Sequence, residues 1–204
     1  MSRGTIAGNI PNLITLARIF AVPLLVWLII SGEFAAAFWV FVLAGVSDAL
    51  DGFIAKRFGF VTILGTYLDP VADKALLVCA YITLGQAGHI NALLVILVVF
   101  RDVLIIGGTV LFHTLDRPVR MKPIFISKIN TFLQILLIAV LLGNLGIGIL
   151  DFGTLPALAF LVGITTVCSG LAYMGRWLFD VRVDSKWRGS VNEVETSKRF
   201  KGKQ

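Results

Sequence analysis

The sequence predicts an all-α, polytopic membrane protein with six transmembrane helices. Three observations carry that prediction: an apolar composition, six long apolar stretches, and Lys and Arg confined to alternate connections. Of 204 residues, 57% are hydrophobic and only 15% are charged, against about 25% charged in an ordinary soluble domain. This balance excludes a disordered chain, a collagen and an ordinary soluble enzyme. Two cysteines exclude a disulfide scaffold. The net charge is +6, but no soluble domain exists to carry a basic face, so no nucleic acid partner is expected. In a membrane protein such an excess bears on orientation and on contact with anionic lipid.

A membrane-crossing helix needs about 20 mostly apolar residues. The first stretch runs from Leu13 to Ile30, and Pro11 sits where a helix start tolerates its missing N–H. A cleaved signal peptide with Ile19 to Ile30 as its apolar segment is disfavoured, because Arg18 lies too deep and removal would leave five spans. The break Ser31-Gly32-Glu33 precedes the second stretch, Phe34 to Phe53. The third runs from Leu64 to Leu84. Gln86-Ala87-Gly88 separates it from the fourth, Ile90 to Phe112. The fifth covers Ile126 to Leu145, and a Gly-rich segment from Gly143 to Gly153 leads to the sixth, Leu155 to Leu178. Residues 1–180 then form one membrane domain. The tail, 181–204, is polar and basic with no helical apolar stripe, and is expected to lie near anionic headgroups. The chain has no long period-2 alternation, which argues against a β-barrel.

Lys56 and Arg57 follow the second stretch, and Arg117, Arg120 and Lys122 follow the fourth. Arg182, Lys186, Arg188, Lys198, Arg199, Lys201 and Lys203 follow the sixth. The three opposite loops hold Glu33, His89 and Asp151 but no Lys or Arg. The positive-inside rule places both termini and the loops after stretches two and four in the cytoplasm.

Ionisable groups inside spans are costly, so each marks a candidate site. Asp48 and Asp51 are spaced i, i+3 at the end of the second stretch; Asp69 and Asp73 are spaced i, i+4 at the start of the third. Each pair shares a helical face. A short turn between the two stretches would make them antiparallel neighbours and bring four carboxylates together. Four such charges in low dielectric need cations. An all-oxygen donor set without His or Cys suits Mg²⁺ or Mn²⁺, and four carboxylates suffice for two ions, an arrangement used in phosphoryl chemistry. Gly52 and Ala55 share the face of Asp48 and Asp51, and Gly65 lies one turn before Asp69. Walls without side chains admit a bulky ligand, whereas Gly107 and Gly108 are read as helix-packing contacts.

The segment from Asp48 to Asp73 reads D-x2-D-G-x2-A-K-x8-G-x3-D-x3-D and closely resembles the signature of the CDP-alcohol phosphotransferase family. Seven of its eight fixed positions match; the family has Arg where Lys56 stands. Lys keeps the charge but loses the bidentate fork. The stretch Pro11-Asn12-Leu13-Ile14-Thr15-Leu16-Ala17-Arg18 is similar to the family's N-terminal P-N-x-[LI]-T-x-x-R. The resemblance implies a six-span bundle, often a homodimer, in which CDP-diacylglycerol donates its phosphatidyl group to an alcohol and CMP leaves. It implies that Asp48, Asp51, Asp69 and Asp73 hold metal and that Asp73 is the general base. Gly52, Ala55, Lys56 and Gly65, joined by Thr15 and Arg18, would form the nucleotide pocket.

Two branches of the family compete for the acceptor. The branch that uses glycerol 3-phosphate has R-E-x6-R in span four and G-K-x-K-T at the start of span five. Here Arg101-Asp102 is followed by Thr109 at the second Arg position, and Ser127-Lys128-Ile129-Asn130-Thr131 lacks the second Lys. Lys122 to Thr131 instead resembles the K-P-x-F-I-S-K-x-N-T of the cardiolipin-forming branch, with Arg101 and Lys128 expected to hold the phosphate of phosphatidylglycerol. That branch implies a bacterial or mitochondrial inner membrane. A small cation transporter using midplane Asp residues is a rival, but it explains neither the Gly/Ala register nor the basic loops. His89 and His113 are read as solvated, Cys79 and Cys168 as apolar filler, and the Trp and Tyr residues as interface anchors or packing.

Overall fold

The computed structural model describes residues 10–58, 63–114, 125–148 and 153–176, with side chains for 17–47, 74–108, 125–148 and 153–176. Among the described residues every element is a helix: α1 Ile10–Ile30, α2 Phe34–Phe58, α3 Ile63–Gln86, α4 Ala92–Thr114, α5 Phe125–Ile147 and α6 Thr154–Arg176. The six helices fall on the six expected stretches. α2 runs five residues past the expected end at Phe53, because the apolar run stops there while no proline stops the backbone. α4 starts two residues later than Ile90, because Asn91 caps it: the Asn91 Oδ1 accepts from the Leu93 N–H at 2.8 Å. The basic loop after α4, residues 149–152 with Asp151, residues 177 and 178, and the tail 181–204 lie outside the described residues.

The connections at one end of the bundle share a glycine mechanism. After α1, the Glu33 N–H reaches the Leu28 carbonyl (2.9 Å) and the Gly32 N–H the Ile29 carbonyl (3.1 Å), with Gly32 at φ +76. After α3, His89 bonds Leu84 (2.9 Å) and Gly88 bonds Gly85 (3.1 Å), with Gly88 at φ +80. Both are Schellman endings, which need a left-handed residue that glycine adopts without a Cβ penalty.

α1 packs against α3 and α2, α2 also against α5, and α3 also against α4 and α5. Among the described residues α2 packs chiefly against α1 and α5. The core between them is built from Leu25 and Ile29 of α1, Ala37 and Phe41 of α2, Tyr81 and Leu84 of α3, Val98 of α4, Ile138 and Leu142 of α5 and Val162 of α6. Large apolar side chains also cover the outside, among them Phe20, Trp27, Trp39, Phe100, Phe132 and Phe160. Such continuous exposed apolar surface is foreign to a soluble monomer. α5 and α6 are long and apolar enough to cross a membrane.

Among the described glycines, Gly146 makes the closest approach, at the start of α2. A Cβ on Gly146 would lie 2.3 Å from the Ala35 backbone nitrogen and 2.6 Å from the Phe34 carbonyl carbon. Backbone cannot swing aside as a side chain does. Gly146→Ala is therefore expected to force α5 away from α2 and to cost about 1–3 kcal/mol, read as a lowered Tm in detergent; an unchanged Tm would contradict the close approach.

Candidate active site

The signature carboxylates fall on two helix ends joined by a four-residue connection. Asp48 and Asp51 lie in the last turns of α2, and Asp69 and Asp73 lie in the first turns of α3. The helical backbone at both places preserves the i, i+3 and i, i+4 registers, so each pair occupies one face. The side chains of Asp48, Asp51, Gly52, Ala55, Lys56, Gly65, Asp69, Asp73 and Thr15 lie outside the described residues. As a donor set the four carboxylates fit hard divalent cations: they supply oxygen only, from two helix faces.

Next to these helix ends is a cavity of about 430 Å³. α2 lines it with Phe41, Val42, Ala44, Gly45 and Val46, and α3 with Lys74, Leu76 and Leu77. α5 adds Thr131, Ile135 and Ala139, and α1 adds Arg18. Gly45 stands three residues before Asp48, and nothing lies within 4 Å of where its Cβ would be. Lys74 follows Asp73 directly. The cavity is thus apolar along its walls and bears two cations, Arg18 on α1 and Lys74 on α3. Its chemistry suits an amphiphile with an acyl body and an anionic head.

Behind it lies a buried polar network that ties four helices together. Arg101 and Asp102 of α4 are 3% and 2% exposed. The Asp102 Oδ2 accepts from Lys74 Nζ at 2.8 Å, and its Oδ1 accepts from Arg101 Nη1 at 2.7 Å. The guanidinium also donates to Ser169 Oγ on α6, from Nη2 at 2.9 Å and Nε at 3.3 Å, and to Ser127 Oγ on α5 from Nη2. A buried charge needs this degree of pairing, since stranding one partner typically costs about 3–5 kcal/mol.

A second polar cluster seals the α5–α6 seam. Asn130 Oδ1 accepts from Thr165 Oγ1 at 2.8 Å and Thr166 Oγ1 at 2.9 Å, and Gln134 Nε2 donates to Thr166 Oγ1 at 3.5 Å. Asn130 and Gln134 are both fully buried.

The structure brings some expected site residues together and separates others. Arg18 lines the cavity; Arg101 lies behind it, bonded to Asp102, Ser127 and Ser169; Lys128, on the first turn of α5 beside Ser127, is exposed. Asn130 faces the α6 threonines, with Thr131 on the cavity side. Lys74, Asp102, Ser127 and Ser169 were not singled out from the sequence as a set. The available signal was the count of charges in spans: a Lys in α3 and an Arg-Asp pair in α4 all need partners in low dielectric.

Carboxylate-bearing helix ends thus stand beside a cavity with apolar walls that is lined by Arg18 and Lys74. A family model described as CDP-alcohol phosphatidyltransferase matches residues 8–174, and the chain belongs to that family, one of metal-dependent membrane enzymes of phospholipid synthesis. The chain is 36% identical over 188 residues to the CDP-diacylglycerol--glycerol-3-phosphate 3-phosphatidyltransferase 1, chloroplastic, of Oryza sativa subsp. japonica, covering 81% of this chain and 56% of that protein. It is 37% identical over 181 residues to the cardiolipin synthase (CMP-forming) of Homo sapiens, covering 81% and 60%. It is 30% identical over 170 residues to the CDP-diacylglycerol--glycerol-3-phosphate 3-phosphatidyltransferase of Rickettsia prowazekii, covering 81% and 93%. The chain thus spans little more than half the length of the rice and human relatives.

Proposed function

We propose that the protein transfers a phosphatidyl group from CDP-diacylglycerol to phosphatidylglycerol, giving cardiolipin and CMP. The observation that carries the transferase reading is the meeting of the signature helix ends with a cavity that is apolar along its walls and cationic through Arg18 and Lys74. The acyl chains of the donor would lie along Phe41, Leu77 and Ile135, with its diphosphate toward Arg18 and Lys74. Gly52, Ala55, Lys56 and Gly65, with Thr15, would surround the nucleotide. Asp48, Asp51, Asp69 and Asp73 would hold two Mg²⁺ or Mn²⁺ ions. Bound there, the ions supply charge neutralisation for the phosphate oxygens.

Asp73 would take the proton from the acceptor hydroxyl. The hydroxyl oxygen bonds to the phosphorus that carries diacylglycerol, the bond from that phosphorus to the CMP oxygen breaks, and CMP leaves with the electron pair. Orientation and charge neutralisation are the main catalytic needs of such a step. Lys128 would meet the acceptor phosphate directly. Arg101 would contribute by exchanging a serine contact for a phosphate oxygen.

Phosphatidylglycerophosphate formation from glycerol 3-phosphate is the alternative, favoured by the rice and Rickettsia relatives. Purified protein given CDP-diacylglycerol and either acceptor, followed by lipid chromatography, separates the two.

We further read all six helices as membrane spans, in a bacterial or mitochondrial inner membrane, with the site on the cytoplasmic or matrix side. A homodimer rests on family resemblance alone. In a Cys79→Ala, Cys168→Ala background, Arg120→Cys is expected to react with a membrane-impermeant maleimide only in inside-out vesicles and Glu33→Cys only in right-side-out ones. The reverse pattern would invert the orientation.

A further inference from the structure

We propose that Asp102 is a positioning residue that holds the Lys74 ammonium at the cavity, where Lys74 meets a phosphate oxygen of the donor lipid. This rests on the transferase reading above and adds two residues that the signature does not contain. Lys74 lines the cavity and remains 27% exposed, while its partner Asp102 is buried. The carboxylate divides its oxygens, Oδ2 to Lys74 Nζ at 2.8 Å and Oδ1 to Arg101 Nη1 at 2.7 Å.

Arg101 is in turn clamped by Ser127 and Ser169. The place of the Asp102 carboxylate is therefore set by α4, α5 and α6, and through it the reach of a side chain on α3. A lysine has a flexible four-carbon stem, so an unheld ammonium ranges widely. Among the described residues two cations and one anion leave this cluster one net positive charge, and Lys74 is its exposed member. That charge is available to an anionic phosphate without being free to wander.

The test has a labelling arm and a kinetic arm, both on the full chain in detergent. A water-soluble amine-acylating reagent, with the Lys74 peptide read by mass spectrometry, should modify Lys74 severalfold faster in Asp102→Asn than in the unmodified protein. Lys74→Met should raise the KM for CDP-diacylglycerol about tenfold, the worth of one charge-assisted hydrogen bond, with a smaller change in kcat. Asp102→Asn should raise it similarly, Asp102→Glu should recover most of the loss, and the double variant should be no worse than Lys74→Met.

Unchanged Lys74 acylation in Asp102→Asn, or KM effects that multiply in the double variant, would overturn the positioning role. If Asp102→Asn does not fold, Lys74→Met decides alone, since it keeps the buried Arg101–Asp102 pair; an unchanged donor KM there overturns the proposal. If the unmodified protein releases no CMP, the transferase reading fails, and the acylation arm still decides whether Asp102 holds Lys74.

Discussion

Asp48→Asn and Asp69→Asn are each expected to lower CMP release by at least 10²–10³-fold, on the order seen when one charge-stabilising group is removed from a preorganised site. Asn preserves the shape of the side chain and removes its charge. In a four-carboxylate site that change weakens the hold on divalent cations, and with it the neutralisation of the phosphate being transferred. The Tm should move little, because Asn is nearly isosteric with Asp and the substitution removes charge without removing volume. A chelator should abolish activity and added Mg²⁺ or Mn²⁺ should restore it; full turnover in metal-free buffer would rule out the carboxylate-metal reading. Asp73→Asn should differ in kind. If Asp73 chiefly accepts the proton, donor binding persists while turnover collapses. A loss of donor affinity equal to that of Asp48→Asn would make it chiefly a metal ligand.

The helices were legible in the sequence because a span must be apolar for most of its length, and the Schellman glycines Gly32 and Gly88 stand at breaks that composition alone identifies. The carboxylate register was legible because helical spacing needs no tertiary information. What escaped was which helix faces which. Hydropathy does not report that α1 and α5 are the main described neighbours of α2, nor that a cavity lies on the faces of Gly45 and Lys74. Asn130 escaped for the same reason. It stands where the glycerol-phosphate branch has a Lys, but a helix turns about 100° per residue, and Thr131 lines the cavity while Asn130 meets Thr165 and Thr166. For Arg101, nothing in a linear motif announces that Ser127 and Ser169 accept from its guanidinium.

With CDP-diacylglycerol as donor, the unmodified protein is expected to convert phosphatidylglycerol to cardiolipin and to make little phosphatidylglycerophosphate from glycerol 3-phosphate. A phosphomonoester carries close to two negative charges at neutral pH, and the phosphodiester of phosphatidylglycerol carries one. A site for the former needs several fixed cations, forked Arg above all. Here Thr109 stands where the glycerol-phosphate branch has a second Arg, and Asn130 where it has a second Lys. The packing sharpens the charge count. Arg101 is already shared with Asp102, Ser127 and Ser169, so Lys128, exposed on α5, would be the main cation for the single charge of a phosphodiester. Asn130→Lys alone should therefore fail to create glycerol-phosphate activity. Its ammonium would enter the seam at Thr165 and Thr166, displace the amide contacts there and lower the Tm. Thr109→Arg together with Asn130→Lys is the stronger test, because it restores both cations of that branch. Preference of the unmodified protein for glycerol 3-phosphate in the lipid-chromatography assay would overturn the choice of acceptor while leaving membership of the family untouched.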